Sequence, residues 1–129
     1  MEKYISATQN RPQGDRIIDA DTHLINIADF KSQVKNESTW LRNDRNAVTL
    51  FKSEHVAVIL MTLHSNAKIK SQISEGIMSL QLLDGKILFE TEQTSLNVQK
   101  EQIVMLHKAI MYSIDVKQEA TILLTIVTL

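Results

Sequence analysis

The sequence contains no cysteine, only three glycines and one proline among its 129 residues. Without cysteine the chain forms no disulfide framework, no thiolate zinc site and no cysteine nucleophile. With so few glycines and prolines, its turns must rely on Asn, Asp, Ser and Lys. A chain of this length buries a hydrophobic core without disulfides or metal ions, so the composition predicts one structural domain.

An excess of charge of either sign is also absent, since 14 basic and 15 acidic residues give a formal net charge of −1. There is therefore no basic field to attract nucleic acid and no acidic tail. The first residues lack the apolar run of a secretion signal, and no stretch approaches the roughly 18 apolar residues that span a bilayer. These features predict a cytoplasmic protein that binds neither nucleic acid nor membranes.

From residue 46 onward, apolar residues follow a period of two, which indicates β-strands. The segment 55–64 is apolar on both faces, so it is predicted to be a central strand covered on both sides, by the N-terminal region or by a second subunit. The segment 121–129 is β-branched and apolar on both faces, and an exposed edge of this kind would invite aggregation. We expect it to pair inside the sheet or at a subunit contact. Because the segments 55–64 and 121–129 are both apolar on two faces, we also predict a homodimer.

Further strands are predicted at 67–71, 76–83, 86–91, 102–106, 110–116 and 120–128. Asp84-Gly85 separates two apolar runs and is typical of a β-hairpin turn. Eight or nine short strands with tight turns indicate an all-β sandwich or a closed barrel formed by residues 46–129.

Residues 1–45 are predicted to form an arm and one short α-helix that pack on this barrel. Residues 1–20 show no period, and residues 10–15 hold the proline and a glycine that mark a turn or an extended segment. After a short strand at 24–27, Ile27, Phe30 and Val34 have the spacing of a helix of about two turns, with Asn26 or Asp29 as its N-cap. Trp40 is expected to cover the core, with ligand stacking as the alternative.

The strand spacing over roughly residues 46–127 resembles that of the cupins, which are small jelly-roll barrels (double-stranded β-helices). The first cupin motif is a glycine, five residues, His-x-His, three or four residues, a glutamate, six residues and a closing glycine. Aligned on Gly85, the glutamate place falls on Met78 and the two histidine places fall on Gln72 and Ser74. The opening glycine place falls on Asn66, a residue type that tolerates positive φ.

The second cupin motif is a glycine, five residues, Pro-x-Gly, two residues, a histidine and, four residues later, an asparagine. The matching stretch places Glu101, His107, Ala109, Tyr112 and Val116 at the five defining positions. Most metal-ligand places of both motifs thus hold residues that bind transition metals poorly. The resemblance therefore implies a cupin-like barrel that has lost its metal site, with no cofactor and without the dioxygenase, isomerase or oxalate chemistry of metal-bound cupins.

Five residues are predicted to line one mouth of the barrel: His64, Gln72, Met78, His107 and Tyr112. One interpretation is that they form a pocket for a small molecule, and a second is that they form an unusual metal site. The third is that they have structural roles only, with both histidines hydrogen-bonded to the backbone and Met78 filling the barrel interior. A metal site requires three or four convergent ligands, and only two imidazoles are available here. No nucleophile elbow, Ser-His-Asp pattern or glycine-rich phosphate loop is present, so no catalytic residue is assigned.

The sequence predicts a non-catalytic, metal-free cupin-like barrel that either binds a small molecule in its mouth or is purely structural. The alternative is a metal-dependent cupin-type enzyme with a remade site of His64, Gln72, His107 and Tyr112. The two hypotheses differ in whether these four side chains converge in a polar cavity, or whether Met78 and its apolar neighbours fill the barrel.

Overall fold

The fold is taken from a computed structural model of the chain, which describes residues 4–5, 16–18 and 20–129. The predicted turn at residues 10–15 lies outside the described residues. The elements, in chain order, are strands β1 (Tyr4–Ile5) and β2 (Arg16–Ile17), helices α1 (Ile27–Asn36) and α2 (Ser38–Arg42), and strands β3 (Arg45–Lys52), β4 (Val56–Leu63), β5 (Lys68–Ile73), β6 (Ile77–Thr91), β7 (Ser95–Gln99), β8 (Ile103–Leu106) and β9 (Met111–Val127).

Two long strands, β6 and β9, pair with each other along their whole length and connect two layers of antiparallel sheet. The first half of β6 and the second half of β9 lie with β3, β4 and β8, in what we call the wide layer. The other halves lie with β5 and β7, in what we call the narrow layer. The predicted all-β jelly-roll architecture is therefore confirmed.

The predicted hairpin at Asp84-Gly85 is wrong, because both residues lie inside the continuous strand β6. Gly85 has a φ of +92° at a point where the register with β9 shifts between Leu82 and Ile87. The strand crosses there from the wide layer to the narrow one, and its buried positions change from even to odd numbers. A glycine with positive φ serves a hairpin turn and a β-bulge equally well, so the local sequence does not separate the two.

The space between the layers is filled by one apolar core that includes Met78 and Phe89, both essentially inaccessible to solvent. Its buried members come from both layers: Leu63, Ala67, Ile69, Met78, Leu80, Leu82, Ile87, Phe89, Val98, Val104, Leu106, Ile114, Val116, Ala120, Ile122 and Leu124. Met61 packs against this core. Met105 and Met111 are more than half exposed and do not contribute to it.

Helix α1 covers one end of the outer face of the wide layer. It begins after Asn26, whose Oδ1 accepts a hydrogen bond from the Asp29 backbone N–H at 3.3 Å, so residues 24–27 cap a helix and form no strand. Val34 is fully buried against Val48 and Leu60. At Leu60 strand β4 is thus covered on both faces, as its two-faced pattern predicted, and the cover on the outer face is the helix.

Two ion pairs from successive turns of α1 hold it over the bends of the long strands. Lys31 pairs with Asp84 on β6, and Lys35 Nζ lies 3.0 Å from Glu119 Oε2 on β9. The Lys31 ammonium, together with Lys100 at 3.8 Å, holds the pKa of Asp84 below its usual value. The helix therefore stabilises the region where the sheet changes layer.

A second short helix, α2, follows at Ser38–Arg42, where the sequence predicts only one helix. Its Trp40 is buried, consistent with the predicted cover over the core. Within the predicted arm, Ile18 is buried, and its carbonyl accepts a hydrogen bond from the Lys52 backbone N–H at 3.0 Å. This part of the arm therefore lies against the end of β3.

Thr121 and Thr62 are cross-strand neighbours, and both are fully buried, but their hydroxyl groups differ. Thr62 Oγ1 donates to the Asn46 carbonyl at 3.4 Å, whereas Thr121 Oγ1 has no hydrogen-bond partner within the described chain. Burying an unpaired hydroxyl costs about 1–3 kcal/mol, and an apolar group of the same shape avoids this cost. We therefore expect Thr121→Val to raise the free energy of unfolding by about 1 kcal/mol in urea denaturation.

The control for this prediction is Thr62→Val, which removes a paired hydroxyl from the adjacent position. It leaves the Asn46 carbonyl without this donor and is expected to lower the stability by about 1 kcal/mol. Equal effects of the two substitutions would contradict the assignment of Thr121 as the unpaired group.

Candidate functional site

His64 directly follows β4, and its side chain contacts Trp40 of helix α2. Its ring stacks on Trp40 with the centroids 3.4 Å apart and the planes at 14°. Its Nε2 lies 2.9 Å from the Trp40 carbonyl oxygen, and its backbone N–H donates to the Asp44 carbonyl at 2.9 Å. One ring face and one ring nitrogen are therefore occupied by contacts within the fold.

His107 is exposed, in the loop between β8 and β9. That loop is tied to the β5–β6 loop by the buried Ser74, whose Oγ accepts from the Ile110 N–H at 3.0 Å and donates to the Lys108 carbonyl at 3.2 Å. The Ser74 N–H also donates to the Ile110 carbonyl at 3.1 Å. Ser74 occupies the second histidine place of the first cupin motif, and here its hydroxyl joins two loops instead of facing a ligand.

Met78 occupies the glutamate place of the same motif, and its side chain is 1% exposed. Its cross-strand neighbours are Leu106 on β8 and Ile126 on β9. A carboxylate at this point would be surrounded by apolar side chains. The position therefore packs the barrel interior.

Gln72 and Tyr112 are the two candidates that the fold does bring together, as cross-strand partners on β5 and β9. Gln72 is exposed, whereas Tyr112 is half-buried and stacks on Phe89 with the ring centroids 5.3 Å apart. Burial raises the pKa of the Tyr112 phenol above its usual value, which favours the neutral form over a phenolate ligand. The pair lies at the end of the narrow layer, away from the Trp40–His64 stack.

The five predicted residues therefore occupy four different environments: a stack on α2, an exposed loop, the apolar core and the end of the narrow layer. Within residues 20–129 and the short described segments before them, no three His, Asp or Glu side chains are grouped so that they could hold a metal ion. None of the described helices is long and apolar enough to cross a membrane.

A cavity of about 430 Å³ lies at the open end of the wide layer. Ala57, Ile59 and Ile126 line it with apolar surface, and Ile59 and Ile126 also pack against the core. Its polar lining includes Glu54 and Glu75, and the remaining lining residues are Lys52, Ser53, His55, Val56 and Thr128.

The sequence analysis missed this cavity altogether. The His55 Nδ1 lies 2.8 Å from the Thr128 carbonyl oxygen, so the ring is anchored at the cavity edge. The cavity combines the turn before β4, the loop before β6 and the end of β9, and these segments are up to about 70 residues apart in the chain. The only local signal is the apolar inner face of β4, which also describes an ordinary core strand.

Neither a protein-family model nor any curated protein matches this sequence, but many solved structures match its fold. A cupin superfamily protein from Desulfitobacterium hafniense aligns with a TM-score of 0.68 and 13% identity over 98% of both chains. A conserved protein of unknown function from Streptococcus pyogenes aligns at 0.64 and 16%, over 97% of this chain and 96% of that one.

The cupin domain of Cnp3 from Schizosaccharomyces pombe aligns with a TM-score of 0.60 and 18% identity, over 98% of this chain and 87% of that chain. At such identities the likeness concerns the fold alone. It confirms the cupin-like architecture that the resemblance implied, and it assigns no activity.

Proposed function

We propose that this cupin-fold chain acts without a metal ion and without catalysis, as a barrel that binds a small molecule in the cavity lined by Ala57, Ile59 and Ile126. The observation that carries the proposal is the environment of Met78. The position that supplies the carboxylate ligand in the cupin motif is buried here in a continuous apolar core. An uncompensated carboxylate or metal ion at such a place would be strongly disfavoured.

The neighbouring ligand places support the same conclusion. The Ser74 hydroxyl is hydrogen-bonded to the Ile110 backbone, which joins the β5–β6 loop to the β8–β9 loop. Gln72 is exposed. Tyr112 stacks on Phe89. Transition-metal sites use several convergent imidazole, thiolate or carboxylate ligands, and these residues do not supply that set.

The cavity beside Ala57 and Ile59 favours ligand binding over a purely structural barrel. Its volume of about 430 Å³ is within the range of about 300–1,000 Å³ that is usual for small-molecule pockets. Its apolar wall would bury the hydrocarbon part of a ligand, and the Glu54 and Glu75 side chains at its edge would contact a polar end. We therefore expect a small molecule with an apolar body and a polar group.

The metal half of the proposal is tested by elemental mass spectrometry on the untagged protein. Cobalt, nickel, manganese, iron and zinc are each added and the excess is removed. We expect far less than one equivalent of every metal, because a site requires three or four convergent ligands. Near-stoichiometric binding that disappears in His107→Ala would overturn this half and favour the enzyme with a remade site.

The ligand half is tested by thermal-shift screening with a library of small neutral and cationic amphipathic compounds. A compound that binds only the folded state raises the melting temperature with its concentration. We expect hits whose shift is lost in Ala57→Leu, which fills the cavity, and is kept in Ala109→Leu, the same change in a separate surface cavity. Shifts that both variants retain would place the binding elsewhere and refute binding in the cavity beside Ala57 and Ile59.

A further inference from the structure

A groove lies at the open end of the narrow layer and shares no lining residue with the cavity beside Ala57 and Ile59. It consists of two adjoining hollows of about 260 and 400 Å³, which have three lining residues in common: Thr91, Glu92 and Met111. Lys108 lines only the smaller hollow, and Glu90 lines only the larger. The larger hollow is within the range of about 300–1,000 Å³ that is usual for small-molecule sites.

Both walls of the groove are held by hydrogen bonds within the chain. One wall is the turn after β6, in which Thr91 Oγ1 accepts from the backbone N–H groups of Gln93 and Thr94 at 3.3 and 3.2 Å. The other wall is the loop before β9, which Ser74 fixes through its hydrogen bonds to Ile110. A groove with fixed walls is formed before a ligand arrives, which reduces the ordering cost of binding.

Three charged side chains line the groove, and all three are exposed. Among the described residues, the Lys108 ammonium and the Glu92 carboxylate have neither an ion-pair nor a hydrogen-bond partner, although they line the same hollow. The Glu90 carboxylate accepts a single long hydrogen bond within the described chain, from Ser95 Oγ at 3.4 Å. The three charges are therefore accessible to a ligand.

The charges have a fixed order along the groove. Lys108 is positive and lies in the smaller hollow, Glu92 is negative and lies where the two hollows meet, and Glu90 is negative and lies in the larger hollow. A complementary ligand carries one negative group followed by two positive groups. An α-amino acid with a cationic side chain has this arrangement, since its carboxylate and ammonium groups share one carbon atom and its side-chain charge lies further away.

The larger hollow also suits the aliphatic part of such a side chain. Met111, which is 54% exposed, and the ring of Tyr112 line it with apolar surface. Lysine and arginine side chains lay their hydrocarbon stems along surfaces of this kind and keep their charged ends in water. The Tyr112 ring is held by its stack on Phe89, and an aromatic ring attracts a cation that lies over its face.

We propose that the groove binds a basic α-amino acid. The carboxylate of the ligand pairs with Lys108, and its α-ammonium group pairs with Glu92. The side chain passes Met111 and Tyr112, and its cation pairs with Glu90. Each of these ion pairs is exposed and weak by itself, so the selectivity depends on all three together. The site is independent of the cavity in the proposed function, and one can bind its ligand without the other.

The proposal is tested by titrating L-arginine into the full chain at low ionic strength, because salt screens exposed ion pairs. Isothermal titration calorimetry measures the affinity, and the backbone amide resonances in NMR spectra locate the site. We expect saturable binding with shifts confined to residues 90–93 and 108–113. Agmatine, which lacks the carboxylate, and L-citrulline, which lacks the side-chain cation, should each bind about fivefold more weakly because one charge pair is lost.

Charge variants assign each end of the ligand. Lys108→Met should make arginine and agmatine bind equally, and Glu90→Gln should make arginine and citrulline bind equally. The control is Lys70→Met, which changes an exposed lysine on β5 outside the groove and should keep the full preference for arginine. Circular dichroism should show that all three variants are folded, since the substituted side chains are exposed.

The absence of saturable arginine binding overturns the proposal. So does an unmodified chain that binds agmatine as tightly as arginine, because Lys108 would then contribute nothing. Amide shifts that lie outside the groove overturn it as well, and so does a preference for arginine over agmatine that Lys108→Met retains.

Discussion

Gly85→Ala is expected to lower the free energy of unfolding by about 2–5 kcal/mol. The residue has a φ of +92°, where an alanine side chain costs about 1–2 kcal/mol. A Cβ at this point would also collide with the Glu119 carbonyl oxygen and lie 2.6 Å from the Ala120 Cα. Forcing the backbones apart adds about 1–3 kcal/mol, and the total is a large part of the roughly 5–15 kcal/mol by which a domain is stable.

Urea denaturation followed by circular dichroism measures this effect, with Lys86→Ala as the control. Lys86 is the next residue in β6 and is exposed, so its truncation should change the free energy of unfolding by less than about 0.5 kcal/mol. A Gly85→Ala variant within about 1 kcal/mol of the wild type would show that β6 and β9 do not need their close approach at the bend.

Met78→Glu is expected to destabilise the protein strongly at neutral pH. The substitution restores the carboxylate of the cupin motif, but in an apolar core that holds no partner for its charge. Burial raises the pKa of such a glutamate by up to about 3–5 units. Each unit corresponds to about 1.36 kcal/mol, so at pH 7 we expect a loss of about 3–4 kcal/mol relative to the wild type.

The pH dependence distinguishes this cause from poor packing. A glutamate whose pKa is raised in the folded state is least harmful below its unfolded pKa of about 4.3, where both states are protonated. The variant should therefore lose stability relative to the wild type as the pH rises above about 4.3.

The control is Met111→Glu, whose carboxylate lies on an exposed part of β9 and should show no such dependence. Added nickel or manganese should not rescue Met78→Glu, because Ser74 and Gln72 do not complete a ligand set. A variant as stable as the wild type at pH 7, or one that gains a stoichiometric metal, would contradict the metal-free proposal.

Part of the candidate site was readable from the sequence because it depends on local chemistry. The residue types at the ligand places, such as Met78 and Ser74, are poor metal ligands wherever they lie. The contacts that these residues make are not encoded locally, since the hydrogen bond between Ser74 and Ile110 joins residues 36 positions apart. Likewise, the stack of His64 on Trp40 depends on how helix α2 docks, and no local period encodes that.

The sequence by itself determined most of the strand positions after residue 46, the helix start and the two-faced character of β4, because side-chain periodicity and capping act within a few residues. It did not predict β7, and it divided each of the continuous strands β6 and β9 into two shorter ones. The tertiary structure alone decided whether Asp84-Gly85 ends a strand or bends it, because the positive φ of Gly85 suits both and only the approach of Glu119 separates them. It also decided which part of the outer face of the wide layer α1 covers. Both outcomes depend on contacts between distant segments, which follow from the packing of the two layers.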